Sequence, residues 1–435
     1  MRWIRQTCQG LLLPALGWAI AATGILAIDI AQAQDAVGAV NDAGNQDRIE
    51  RGRYLTRAAN CKSCHTTERG RPFAGGVEFD TPLGTLYSTN ITPDDTHGIG
   101  QWSDDEFVRA LHEGVGRNGE HLYPAFPYTA YTQLSRDDVL AIKAYLMAQP
   151  GVDYQPPAND MTFPFGHREL LWFWKWLNFD EGRFAGDDSR SAAWNRGAYL
   201  VEALGHCGQC HTPRTLTQGL DEERKFAGAL QQGWRAYNIT PHPTGIGGWS
   251  QDELEMYLAT GHIPDKIASA GPMAEVVSDS LRFLHDDDIH AMAAYLRSVP
   301  PLPGDVPSVE KARSVAPKVP DGSPLAATME QGALLFETAC ASCHSPDGGG
   351  PGGAYPFFPY HSAVRDPDGT NLINVLLQGL ERHGSDETKF MPAYRDLMTD
   401  AQIAALATYV GRRFGGYAAD FSAEDVIRQR QGGTP

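Results

Sequence analysis

The chain has 435 residues, a formal charge of −17 at pH 7 and 20% charged residues. So acidic a chain is a poor binder of nucleic acid and is not drawn electrostatically to anionic lipid, and its length allows two to four domains. Its 46 glycines and 29 prolines suit compact, loop-rich modules whose loops wrap a cofactor.

At the N-terminus, Arg2 and Arg5 precede a mostly apolar run from Leu11 to Ile30, then Ala31-Gln32-Ala33. This pattern predicts a secretory signal peptide over residues 1–33, cleaved before Gln34. An uncleaved membrane anchor is the alternative, because the run approaches the ~20 residues that span a bilayer. Cleavage takes away Arg2, Arg5 and Asp29, so the charge of −17 becomes −18, and it removes Cys8 from the seven cysteines.

The six remaining cysteines all fall in one repeated string: Cys61-Lys62-Ser63-Cys64-His65, Cys207-Gly208-Gln209-Cys210-His211 and Cys340-Ala341-Ser342-Cys343-His344. Cys-x-x-Cys-His is the attachment signature of c-type haem. Two cysteines three apart lie on one side of a helical turn and reach the two vinyl groups of a porphyrin, while the histidine supplies the proximal nitrogen to iron. Cys-x-x-Cys alone also makes half a zinc site or a dithiol redox pair. Three copies, each followed by histidine and with no cysteine left over, point instead to three covalently bound haem c groups.

An internal repeat sets the domain count. Each motif follows a related helical segment: Arg51-Gly52-Arg53-Tyr54-Leu55, Arg196-Gly197-Ala198-Tyr199-Leu200 and Gln331-Gly332-Ala333-Leu334-Leu335. Each module closes with apolar residues at helical spacing, over 137–147, 287–296 and 401–410. Modules one and two also share Asn90-Ile91-Thr92-Pro93, Gly98-Ile99-Gly100 and Trp102-Ser103, matched by Asn238-Ile239-Thr240-Pro241, Gly245-Ile246-Gly247 and Trp249-Ser250. The predicted architecture is all-α: three tandem class I-type cytochrome c domains over 45–160, 191–300 and 326–415. An aromatic connector spans 161–190, a linker 301–325, and a polar tail 416–435. Seven prolines between Pro300 and Pro324 make that linker semi-rigid. Leu170 to Phe179, dense in Trp and Phe, is read as a connector helix packed between modules one and two, with an exposed interfacial surface as the alternative.

The sixth iron position decides whether a haem only relays electrons or also binds small molecules. Met391, 18 residues before Tyr409, and Met273, 22 residues before Tyr295, occupy matching places in modules three and two and are expected to ligate iron opposite His344 and His211. Module one has Phe126 at that place, which cannot ligate; His121 and Met161 are the candidates opposite His65. His112 is expected on a helix surface.

With these motifs the chain resembles the tri-haem cytochrome c subunits of membrane-bound bacterial dehydrogenases, over residues ~45 to 415. The resemblance implies a non-catalytic electron-transfer subunit on the periplasmic side of the inner membrane, peripherally attached. It would take electrons from a flavin-, PQQ- or molybdenum-dependent catalytic subunit and pass them to ubiquinone or a terminal oxidase. Phe126, with Phe163-Pro164-Phe165, looks more like the branch found beside molybdenum hydroxylase-type enzymes. Two other readings compete: a peroxidase-like enzyme using an open haem in module one, and a zinc-binding structural protein whose motifs pair around a metal.

Overall fold

The computed structural model describes residues 44–67, 70–312, 318–350, 355–383 and 388–432. The predicted signal peptide, part of the 301–325 linker and the extreme C-terminus lie outside them. Helices carry the framework, and the loops expected to be irregular hold four small antiparallel sheets among the described residues. The all-α expectation misses these because the turns that make them are short. Gln232 (φ 48°) and Gly233 (φ 73°) join Ala229–Gln231 to Trp234–Ala236, both left-handed as a two-residue hairpin turn requires.

The repeated helical segments and closing helices pair as one crossing, used three times. The helix over 44–58 crosses Arg136–Met147, Ala192–Ala198 crosses Asp286–Leu296, and Pro324–Ala339 crosses Asp400–Phe414. The glycine of each repeat sits at the contact. A Cβ there would lie 1.9 Å from the Ala141 carbonyl oxygen at Gly52, 2.0 Å from that of Ala291 at Gly197, and 2.3 Å from that of Ala405 at Gly332. Only a residue without a side chain lets the two backbones approach so closely.

Packing does not follow the sequence modules. One continuous buried core runs from Leu55 to Val299 and takes in modules one and two; a second, from Phe336 to Val426, belongs to module three. At the seam of the first core, polar pairs are shared. Arg51 holds Asp138 with Nη2 at 2.6 Å, and Arg196 holds Asp288 through two bonds of 2.8 and 2.7 Å. Into each pair comes the tyrosine of the other module: Tyr199 donates to Asp138 and Tyr54 to Asp288.

Module three docks on the Trp234–Ala236 strand. Arg235 Nε lies 3.0 Å from Asp366 and its other nitrogens reach Asp368 and Asp305, while Asn371 exchanges two 2.8 Å bonds with the Arg235 backbone.

The aromatic connector forms a helix over Leu171–Asn178, but it is not packed away between modules. Trp172 is 59% exposed and Trp176 72%. Only its inner side is held: Lys175 is buried and Trp174 Nε1 donates to the Thr217 carbonyl at 2.8 Å. The helix is eight residues long, too short to turn an aromatic face to both neighbours and bury every ring.

Candidate cofactor site

Each Cys-x-x-Cys-His string forms a single short helix: Cys61–His65, Gly208–His211 and Ala341–His344. The chain enters the first two through a left-handed residue, Asn60 at φ 51° and His206 at φ 39°. Asn tolerates that region. His206 is held there by packing, its ring 5.5 Å from that of Tyr131 in an edge contact. The six cysteines form no disulfide. Each pair with its adjacent imidazole is the donor set that two thioether links and one axial nitrogen require, so the residues present fit a covalent haem. Burial pushes the Cys61 and Cys207 thiols up to about 12 and Cys340 to about 11. Surroundings this apolar suit a porphyrin.

The motif histidines of modules one and two are suspended alike. His65 Nδ1 lies 2.7 Å from the Thr89 carbonyl, and His211 Nδ1 2.6 Å from that of Tyr237. Thr89 and Tyr237 directly precede the asparagines of the repeated Asn-Ile-Thr-Pro block. Those asparagines anchor the loop: Asn90 donates to Val152 O at 2.8 Å and Asn238 to Leu302 O at 2.7 Å. Burial lowers both histidines' pKa and keeps the rings neutral, so with Nδ1–H donated outward Nε2 carries the free lone pair. His344 is also lowered by burial, to about 4, but its Nδ1 has no partner among the described residues.

A second repeated string, Phe73-Ala74-Gly75 and Phe226-Ala227-Gly228, completes the cradle and has no counterpart among the sequence expectations. Phe73 and Phe226 are both left-handed, at φ 62° and 63°, and their N–H groups donate to Thr66 and Thr212, each just after a motif. Gly75 and Gly228 N–H groups then donate to the carbonyls of His65 and His211, both at 2.8 Å. The signal is the shared tripeptide, obscured by its different distance from each motif. The Trp-Ser ends of the repeat are capping boxes: Ser103 with Glu106, and Ser250 with Glu253.

Met273 and Met391 are both partly buried. Met273 lies at the start of the helix Pro272–Asp279, which packs on the module-one motif helix Cys61–His65, and Met391 packs on the core containing Cys340. Phe126 lies against Tyr131 with ring centroids 5.6 Å apart. His121 is engaged elsewhere: its Nδ1 is 3.0 Å from Lys175 Nζ, which also donates to Glu113 O and Gly114 O at 2.7 Å each. Met161 pairs with Gly84 in the first small sheet and lines a cleft beside Thr89. His112, expected on a surface, is 2% exposed. Burial drives its pKa down to about 4, with Arg183 adding to the effect. The helix Asp104–Glu113 turns this side of its apolar stripe inward and carries the imidazole with it.

The motifs of modules one and two adjoin. His206 Nε2 is 3.4 Å from Ala59 O, Gln209 Nε2 donates to Thr129 Oγ1, and Lys62 pairs with Asp279 at 2.9 Å.

Comparison with known proteins agrees with this geometry. Residues 49–150 match the family model for cytochrome c, and residues 327–410 that for subunit III of cbb3-type cytochrome c oxidase. The chain is 42% identical over 370 residues to a nicotinate dehydrogenase subunit of Pseudomonas putida, covering 84% of this chain and spanning only 30% of that longer relative. It is 39% identical over 416 residues to the fructose dehydrogenase cytochrome subunit of Gluconobacter japonicus, covering 90% of this chain and 84% of that one. To the gluconate 2-dehydrogenase cytochrome c subunit of Pantoea cypripedii it is 36% identical over 413 residues, covering 90% and 91%.

Proposed function

The chain belongs to the family of cytochrome c subunits of dehydrogenases, and on that premise we propose that it is an exported electron relay with three covalent haem c groups. In this reading residues 45–160, 191–300 and 326–415 are three cytochrome c domains. Cys61 and Cys64, Cys207 and Cys210, and Cys340 and Cys343 hold the porphyrins. His65, His211 and His344 bind iron, with Met273 and Met391 opposite the last two. Haem supplies reversible one-electron chemistry. The chain's own residues fix the imidazoles, exclude water and hold the attachment sites at fixed separations.

The observation that carries the reading is the common suspension of His65 and His211, each Nδ1–H given to a backbone carbonyl and each Nε2 left for a metal. Electrons would come from a separate catalytic dehydrogenase subunit, flavin-, PQQ- or molybdenum-dependent, and leave to ubiquinone or a terminal oxidase on the periplasmic side of the inner membrane. No helix among the described residues is long and apolar enough to cross a membrane.

Gentle purification from membranes tests this. We expect a stoichiometric dehydrogenase subunit whose substrate reduces three haems per chain. A solitary protein that binds carbon monoxide at module one and turns over peroxide would replace the relay with an enzyme.

A further inference from the structure

In modules one and two, the strand that leads to the motif histidine's acceptor is braced on its outer edge by an asparagine. In module one the strand Gly84–Tyr87 pairs with Glu78–Thr81 inside its hairpin and, on its other side, with Asp160–Met161 of the connector. Just before that connector strand, Asn159 Oδ1 accepts the Tyr87 N–H at 2.9 Å. Two residues on, the Thr89 carbonyl accepts His65 Nδ1–H. In module two Arg235 stands where Tyr87 does, two residues before the Tyr237 carbonyl that accepts His211 Nδ1–H. Its N–H also goes to an asparagine oxygen, Asn371 Oδ1 at 2.8 Å, but this asparagine belongs to module three. The Asn371 amide donates back to Arg235 O at 2.8 Å. Asn374, on the same helix Thr370–Gln378, donates to Gly233 O at 2.8 Å. An asparagine amide carries the donor and acceptor of a peptide unit. These two buried side chains therefore stand in for the third strand that the connector supplies in module one.

We propose that module three completes the haem site of module two: Asn371 and Asn374 are positioning residues that hold the Tyr237 carbonyl at His211 and so set that haem's reduction potential. The proposal rests on the reading of the modules as haem domains and adds what fixes the second imidazole. Two strands of three residues, Ala229–Gln231 and Trp234–Ala236, are marginal by themselves. A carbonyl just past the end of such a strand, free to shift, would hold Nδ1–H loosely. Pinning Gly233 and Arg235 removes that freedom immediately before the acceptor. Donation from Nδ1–H makes the imidazole a more basic ligand, which favours ferric over ferrous iron and lowers the potential. Loosening the brace therefore raises it. Both asparagines are neutral, so replacing them leaves the charges of Arg235, Asp305, Asp366 and Asp368 in place. Because the module-one brace lies in the connector, the two haems answer to different asparagines.

The test is a potentiometric titration of the haem-loaded full chain, wild type against Asn371→Leu, Asn374→Ala and Asn159→Leu. Chains carrying Cys61→Ala, Cys207→Ala or Cys340→Ala identify which component belongs to which module. We expect Asn371→Leu to raise the module-two component, by roughly threefold or more in the ratio of reduced to oxidised haem at fixed poise. Asn374→Ala should move it the same way, and if one of these two variants does not accumulate the other decides. Asn159→Leu should raise the module-one component alone. Unchanged potentials in both module-three variants, or a shift confined to the component that Cys340→Ala removes, would overturn the brace. Unmoved potentials in chains whose haems a dehydrogenase still reduces leave the relay standing and the brace fallen. A raised module-two potential in a chain that no dehydrogenase reduces leaves the brace standing and the relay fallen.

Discussion

Tyr54 and Tyr199 are exchanged between modules. Each follows its own arginine by three residues, yet each gives its hydroxyl to the carboxylate that the other module's arginine holds, Tyr54 to Asp288 at 2.5 Å and Tyr199 to Asp138 at 2.6 Å. The hydroxyl oxygens are used again: Tyr199 accepts the Ser135 N–H and Tyr54 the His285 N–H, both at 3.2 Å. Ser135 and His285 are the N-caps of the two closing helices, so each module's last helix starts against the other module's tyrosine. A bond from hydroxyl to buried carboxylate contributes about 1.5–3 kcal/mol. We expect Tyr54→Phe and Tyr199→Phe each to lower unfolding stability by about that amount. Chemical denaturation of the purified variants measures it, and an unchanged midpoint for both would reduce the exchange to a surface detail.

The triple helix crossing gives a sharper contrast. Gly197→Ala would put a methyl 2.0 Å from a backbone oxygen that cannot swing away, and should cost about 3 kcal/mol or more. Gly248→Ala meets nothing within 4 Å and should stay within about 0.5 kcal/mol. Equal melting temperatures for the two would contradict the close approach.

Covalent attachment predicts integer losses. Cys61→Ala, Cys207→Ala and Cys340→Ala should each remove one haem, read from absorbance per chain; three haems retained in any of them would end the assignment. Met391→Ala should lower the potential of one haem and open it to carbon monoxide, because thioether ligation raises the potential and closes the site. A redox titration that does not move would make Met391 a packing residue.

His112 predicts acid sensitivity. Its folded pKa of about 4 lies below the ordinary 6.5, chiefly through burial, so between those values the unfolded chain binds the extra proton. The stabilisation is complete above about pH 6.5 and is lost as pH falls toward 4. His112→Leu should flatten the stability profile across that window. A parallel slope in wild type and variant would place the acid-labile group elsewhere.

Lys175 is a similar single point of support. It is buried and gives two bonds to the carbonyls of Glu113 and Gly114, at the C-terminal end of the helix Asp104–Glu113. Lys175→Met takes the ammonium from both carbonyls, leaving Gly114 O with the Leu122 N–H alone, and should destabilise by about 2–3 kcal/mol. Protease cleavage near Leu171–Asn178 should rise with it; a cleavage pattern like wild type would show that Trp174 alone suffices to hold the helix.

How much of this was legible in the sequence depends on the range of the interaction. Cys-x-x-Cys-His is set by one porphyrin and one helical turn, so its spacing is fixed and readable. The glycines of the crossing repeat at a fixed place because contact with a partner backbone permits nothing else. The Asn-Ile-Thr-Pro block was visible as a repeat, but not its task of aiming the carbonyls of Thr89 and Tyr237 at the histidines. The exchange of Tyr54 and Tyr199 joins residues more than sixty positions apart, and no local pattern announces which module's aspartate a tyrosine will meet. His112 was misplaced because an imidazole on an amphipathic helix reads as its polar side. The aromatic connector was misplaced because Trp and Phe composition does not say whether they are covered.

The single core of modules one and two has a consequence for how such a chain can be cut or recombined. A repeat in sequence invites excision at its boundary, near residue 160. A fragment ending there would keep Cys61, Cys64 and His65 yet lose Tyr199 from Asp138, His206 from Tyr131 and the second half of its apolar interior. Module three, with its own core, is the piece that shuffling or truncation can detach. The gene repeats three times, but the smallest heritable folding unit of its first two-thirds is a pair.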